Sequence, residues 1–219
     1  MRYQNEHNIK NGIKGFLFYG IPGTGKTTLA KELAKKTARI LGGVQDINKF
    51  KDYFQLLDCS HLARARYGET ETLIHQVFEK AHTSKSQGIH YQVLIFDDAD
   101  GLFITRDFKK IDAWYIGQIN VFFHELDDMD TSRVFVVLTT NRIDLMDKAI
   151  IDRLYPIEFP EVPNEILVFK AEDLSNQYKI NKEHIEIIKT TIQKDNEIKT
   201  FRDVENYVIS YFIEKIVEE

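Results

Sequence analysis

The chain has 219 residues, 43% of them hydrophobic and 29% charged, with a net charge of −5. That is enough for one α/β domain of ordinary size plus a small appendage, with charges of both signs mixed over a soluble surface. The acidic balance lacks the basic footprint of a dedicated duplex binder, the lone Cys59 excludes a disulfide framework or a thiol metal site, and no apolar run approaches the roughly 18 residues of a bilayer span.

Residues 1–14 are polar and read as an arm. They lack the apolar segment of a signal peptide, so a cytoplasmic protein without a membrane partner is expected. Gly15–Tyr19 is a short apolar run ending at Gly20, the pattern of a strand buried on both faces. A helix is expected after Lys26, with Leu29, Ala30, Leu33, Ala34 and Ala38 at helical spacing. A second strand fits Phe54–Leu57, and Cys59 just beyond it reads as a small buried residue. Thr70–Ala81 reads as a helix with Leu73, Ile74, Val77, Phe78 and Ala81 on one face. Val93–Phe96 is a third buried strand, Ile111–Leu126 a helix, Val134–Leu138 a fourth buried strand and Pro156–Phe159 a short fifth. Buried strands alternating with amphipathic helices indicate a parallel sheet covered on both faces, whose ligands bind at the carboxyl ends of the strands. Gly20, Asp97 and Asn141 each follow such an end. After Pro160–Pro163, read as a hinge, only helical periodicity remains, and residues 164–219 read as a small helical domain. The histidines are scattered and show no metal-ligand spacing.

Gly20-Ile21-Pro22-Gly23-Thr24-Gly25-Lys26-Thr27 matches G-x-x-x-x-G-K-S/T in full. Glycines let the backbone curl so that successive N–H groups face a β-phosphate, and the following helix presents its positive end to the same oxygens. Lys26 reaches the β- and γ-phosphates, and the Thr27 hydroxyl is a ligand for magnesium. The expected ligand is ATP with Mg2+. A buried strand before the loop and a helix after it are the context that this motif requires. Val93-Leu94-Ile95-Phe96-Asp97-Asp98 is the matching acidic strand end: Asp97 is expected to hold magnesium, directly or through water, and Asp98 to orient and deprotonate the attacking water. Glutamate is usual at the second place. Aspartate is one methylene shorter, which retracts the carboxylate by about 1.5 Å, a C–C bond length. Misplacement of that order costs around a hundredfold in rate. Either the backbone compensates, or hydrolysis is slow, or ATP is bound and hardly turned over; slow hydrolysis is the favoured of the three.

With these motifs the chain resembles an AAA+ ATPase module from about Gly15 to about Phe159. Phe16–Ala30 is similar to the family's Walker A segment, with Pro22, Gly23, Thr24, Gly25, Lys26, Thr27 and Thr28 as nucleotide-binding positions. Asp97-Asp98-Ala99-Asp100-Gly101-Leu102, with Arg106 beyond, resembles the Walker B segment of the AAA branch, and Thr139-Thr140-Asn141-Arg142-Ile143-Asp144 resembles sensor 1. The resemblance implies an α/β fold: a P-loop NTPase parallel-sheet αβα sandwich over residues 1–160, then a helical lid over 161–219. It implies that Asn141 touches the γ-phosphate or the attacking water. It implies that Arg153, in Asp147-Lys148-Ala149-Ile150-Ile151-Asp152-Arg153, is an arginine finger that acts on a neighbouring subunit's ATP, hence an oligomer; a surface arginine paired with Asp152 is the plain alternative. Phe201-Arg202-Asp203-Val204-Glu205 resembles the sensor 2 helix, which would bring Arg202 to the γ-phosphate, against an ordinary solvated arginine. Arg66-Tyr67-Gly68 resembles the pore loop, with Arg66 in the aromatic place and Tyr67 in the apolar one. Tyr67 would grip a substrate segment, Arg66 would favour an acidic one, or Tyr67 packs on its own helix. Ile151-Asp152-Arg153 also resembles the branch that remodels HORMA-domain proteins.

The function expected first is an ATP-driven remodeller of a partner protein, assembled as a homo-oligomer, a hexamer above all, or as a hetero-oligomer. No substrate-recruiting domain precedes the module in this sequence, so an adaptor would supply specificity or the chain is a fragment. A loader acting on nucleic acid is the second reading and is not favoured, because the basic clusters are short (Lys35-Lys36, Arg64 and Arg66). An ATP-dependent assembly switch that hydrolyses little is the third.

Overall fold

The computed structural model describes residues 2–62, 68–83, 91–104 and 113–214. In chain order the elements that matter for function are α1 (Arg2–Glu6), β1 (Gly15–Gly20), α2 (Lys26–Gly42), β2 (Phe54–Asp58), α3 (Cys59–Leu62), α4 (Glu69–Thr83), β3 (Gln92–Asp97), α5 (Ala113–Asp128), β4 (Val134–Thr140), α6 (Lys148–Arg153), β5 (Tyr155–Phe159), α7 (Asn164–Gln177), α8 (Lys182–Lys194) and α9 (Phe201–Phe212). By internal packing the chain falls into two compact units, Met1–Tyr19 with Lys26–Glu158, and Gly20–Gly25 with Phe159–Glu219.

The strands form one sheet in the order β2-β3-β4-β1-β5. The pairings β1 with β4, β2 with β3 and β3 with β4 are parallel. Register carries the strand ends to one edge: Asp58 pairs with Asp97, Phe96 with Leu138, and Tyr19 with Thr140. The connection after β1 leads toward β2, whereas the one after β4 passes to β5 on the other side of β1. Strand order therefore reverses beside β1, where sheets of this kind bind ligands. Every residue of β4 is buried, and all of β3 except Asp97. The outer strands β2 and β5 are only partly covered, as edge strands are.

Behind the end of β3, the rings of Phe96, Phe103 and Phe122 pack with centroids 4.3 to 6.2 Å apart, and Phe78 stacks on the same group. These interlocked aromatics fix the base from which Asp97 projects. Cys59 is buried in this core, where burial pushes its thiol well above the usual value. It packs as an inert small residue.

Three expectations are corrected. The stripe that α2 buries is Ala30, Ala34, Thr37 and Ala38, while Leu29 is exposed. Small side chains let the helix axis approach the sheet closely, so the larger leucine is turned outward. Leu73 of α4 is likewise exposed, and Thr70, Ile74, Phe78 and Ala81 form the buried face. The N-terminal arm is not irregular throughout: α1 buries Gln4, whose amide donates to the carbonyls of Ile13 and Thr131 and accepts from the Ile13 N–H. Among the described residues no helix is long and apolar enough to cross a membrane.

In the second unit α7, α8 and α9 share a core of Leu167, Ala171, Ile185, Ile188, Ile192, Val204 and Val208. Asn181 caps α8 by accepting from the His184 N–H. Thr200 and Asp203 form a reciprocal capping box at the start of α9, which satisfies two backbone donors that a helix end otherwise leaves open.

Candidate functional site

The glycine loop has the backbone that its sequence demands. Gly20, Gly23 and Gly25 have φ of 138°, 84° and 90°, a region that only glycine enters without strain. The Thr24 hydroxyl donates to the Ile21 carbonyl at 3.0 Å and closes the turn. A Cβ on Gly23 would lie 2.8 Å from both Thr200 Oγ1 and Arg202 Cβ, so the loop lies directly against the capped start of α9. The Phe201 ring lies near Gly25. Arg202, exposed on the first turn of α9, thus stands beside a loop glycine.

Lys26 follows the loop at the first position of α2 and is only 6% exposed. Thr27 comes next, and its hydroxyl donates to Asp97 Oδ1 at 2.6 Å. Thr28 is exposed on the same turn. A threonine hydroxyl and a carboxylate set side by side are hard oxygen donors of the kind magnesium takes. The glycines supply a cradle that a Cβ would obstruct. The residues present therefore fit a nucleoside polyphosphate with Mg2+.

The acidic strand end is tied to β4 by two threonines that sequence reasoning quoted but gave no role. Thr139 Oγ1 donates to Asp97 Oδ1 at 2.5 Å and accepts from the Asp98 N–H at 3.2 Å. Thr140 Oγ1 donates to Asp100 Oδ1 at 2.6 Å, and the same oxygen accepts from the Asn141 N–H at 3.3 Å. Asn141 is half-buried at the end of β4, its backbone oriented by Asp100. Asp98 lies in the left-handed region, φ 51° and ψ 51°, which costs a non-glycine residue about 1 kcal/mol. Burial, then the carboxylates of Asp97, Asp100 and Asp58, push its carboxyl above the ordinary value, and Lys26 opposes them. A raised carboxyl is the direction that a general base needs.

Arg153 is partly exposed, and its partner is not the neighbouring Asp152. At the end of α6 its guanidinium takes Asp127 of α5 in a bidentate grip, with contacts of 2.9 to 3.2 Å. It also donates to the Ala149 carbonyl and lies 4.7 Å from the Phe123 ring centroid. Lys14 binds the same carboxylate. These hydrogen bonds, Arg153's first, hold the Asp127 carboxyl down at about 2. The folded value lies below the ordinary ~3.9, so the grip stabilises the fold fully above about pH 4 and is lost as pH falls toward 2. The Asp127 side chain is 44% exposed, so Asp127→Asn is expected to cost no more than about 1 kcal/mol near neutral pH. Denaturant unfolding across the acid range checks this: the gap between native and variant should close below about pH 4, and a gap independent of pH rules out the charge pairing.

Arg66 and Tyr67 lie outside the described residues, as does Arg106. Gly68, with φ of 81°, immediately precedes α4.

Residues 16–161 match the family model "ATPase family associated with various cellular activities (AAA)". Among curated proteins, the chain is 29% identical over 218 residues to the proteasome-associated ATPase of Mycolicibacterium vanbaalenii, covering 94% of this chain and 32% of that protein. It is 29% identical to the protein of the same description from Rhodococcus jostii, covering 94% and 34%. The Catenulispora acidiphila protein of that description is 33% identical over 150 residues, covering 67% of this chain and 24% of the relative. The chain thus spans about a third of the length of the first two of these curated relatives. Among solved structures, a chain of the E. coli MS115-1 HORMA:CdnC:Trip13 complex superposes with a TM-score of 0.68 at 20% identity, over 92% of this chain and 67% of that one. At that identity the likeness establishes the fold.

Proposed function

Because the chain belongs to the AAA family of ATPases, we propose that it is a Mg2+-dependent ATPase module which assembles into a ring and couples ATP turnover to remodelling of a partner protein. The observation that carries this reading is the glycine loop running into Lys26 and Thr27, with the Thr27 hydroxyl on the Asp97 carboxylate at 2.6 Å. Loop N–H groups and Lys26 bind and orient the phosphates. Thr27 and Asp97 would hold the metal, which when bound would supply positive charge against that of the transferring phosphoryl group. Asp98 takes the proton of the attacking water, Asn141 positions that water or the γ-phosphate, and Arg202 contacts the phosphates from α9. Arg153 serves the site of the next subunit. The nucleotide-binding domain is residues 1–160 and the helical lid 161–219. The Arg66-Tyr67-Gly68 segment is the proposed contact with a threaded substrate, and a HORMA-domain protein is the candidate class, by analogy with the complex in which the structural neighbour occurs. The absence of a membrane-spanning helix among the described residues suits a cytoplasmic setting.

A second reading, an assembly switch that hydrolyses slowly, is favoured by one specific feature: Asp98 is short and stands on a left-handed backbone. Particle mass and ATP turnover, measured with and without ATP and Mg2+, test both. The remodeller reading expects a particle of about six chains in a closed ring together with turnover; a chain that stays monomeric and idle at saturating ATP overturns it. An Asp98→Glu variant that hydrolyses ATP more than about tenfold faster than native moves the assignment to the switch.

A further inference from the structure

We propose that Thr139 is a positioning residue for this hydrolysis: its one hydroxyl ties the metal-facing carboxylate of Asp97 to the backbone of Asp98 and so fixes where the Asp98 carboxylate points. The inference rests on the ATPase reading above and adds a residue that no motif assigns.

Thr139 is 1% exposed, next along β4 after Leu138, which pairs with Phe96. That register sets its hydroxyl beside the end of β3. A hydroxyl has one proton to give and lone pairs to receive, and here both are used. The proton goes to Asp97 Oδ1, and a lone pair takes the Asp98 N–H. Serine is the one other side chain of this length that can do both from this depth.

Two consequences follow for the reacting groups. Thr27 and Thr139 both donate to Oδ1 of Asp97, and Oδ2 accepts no hydrogen bond among the described residues. One oxygen is thereby pinned and the other left for the metal or its water. Asp98, for its part, leaves the strand in a left-handed conformation. Its N–H lies past the last residue of β3, in a part-buried place where an unmet donor is unfavourable. The Thr139 hydroxyl supplies that partner and holds the backbone at the root of a side chain one methylene shorter than the usual glutamate. A short carboxylate reaches the attacking water only if its root is placed correctly, and rate is steeply sensitive to such placement.

The bland alternative is a buried threonine that merely satisfies its own hydroxyl. Thr139→Val, which keeps the shape and removes the hydroxyl, and Thr139→Ser, which keeps the hydroxyl, separate the two. For Val, kcat is expected to fall by about 10- to 100-fold with KM for ATP within about twofold of native, and Ser is expected to recover most of the loss. In the ATP-free chain, hydrogen exchange of the Asp98 amide is expected to accelerate by about tenfold or more in Val and to stay near native in Ser. If Val does not fold, Thr139→Ala is measured on the same two readouts. Native kcat in Val, equal losses in Val and Ser, or unchanged Asp98 exchange overturns the proposal. A native chain that hydrolyses no ATP overturns the ATPase reading instead, and amide exchange still decides whether the tie exists.

Discussion

Lys26→Ala is expected to abolish ATP binding, raising Kd by at least about 100-fold, roughly 2.7 kcal/mol, as read by calorimetric titration with ATP and Mg2+. Lys26 opens α2 immediately after the loop and is buried. Its charge is felt at Asp98, where it opposes the effect of Asp97, Asp100 and Asp58. Without it, a polyphosphate would approach four carboxylates without the ammonium that directly follows the loop. Loop N–H groups and the helix end bind anions, but as partial charges, too weak to offset that field alone. Alanine is the best helix former, so the substitution leaves the propensity of α2 intact. Lys35→Ala is the control: this lysine lies on the same helix, paired with Glu32 at its surface, and its loss should leave affinity unchanged. Micromolar affinity retained by Lys26→Ala rules out the nucleotide site.

The parts of this protein that were legible in sequence are those whose cause is local. β3 and β4 read as unbroken apolar runs because both their faces are covered, and such runs leave little room for another assignment. The glycine loop, Lys26 and Thr27 are contiguous, so their chemistry is written in one stretch of chain. Leu29 misled because periodicity places it near the buried stripe, while the decision to approach the sheet on alanines belongs to the packing of α2. Gln4 was unreadable for a different reason: one of its partners, the Thr131 carbonyl, is 127 residues away. The same holds at the site. Thr139 and Thr140 look like ordinary strand formers, and their work depends on carboxylates about 40 residues upstream. Only the register of β3 against β4 brings them together. Arg153 was legible as a cation near the end of α6, but the choice of Asp127 over the adjacent Asp152 required the fold.

Arg153→Ala is expected to leave ATP affinity within about threefold of native while lowering kcat about 10³-fold or more, the usual weight of an arginine that stabilises charge on a transferring phosphoryl group. Within its own chain Arg153 is occupied by Asp127, the Ala149 carbonyl and the Phe123 ring. If it acts on a neighbour's ATP, the Asp127 grip must open or extend when subunits meet. That grip lies in a partly exposed place, where an ion pair is weak enough to be exchanged for a phosphate. A structural role predicts a different pattern, in which loss of Arg153 lowers the melting temperature and disturbs α5 and α6 whether or not subunits assemble. Mixing decides between the two. An Arg153→Ala subunit keeps Asp98 and lacks the finger; an Asp98→Asn subunit lacks the base and keeps the finger. Each alone is inactive, but in a head-to-tail ring about one interface in four of an equal mixture joins a good base to a good finger. Turnover of about a quarter of native is therefore expected from the mixture, well above either variant alone. No recovery at any ratio, with intact assembly, leaves Arg153 as a bolt between α5 and α6 and removes it from the chemistry.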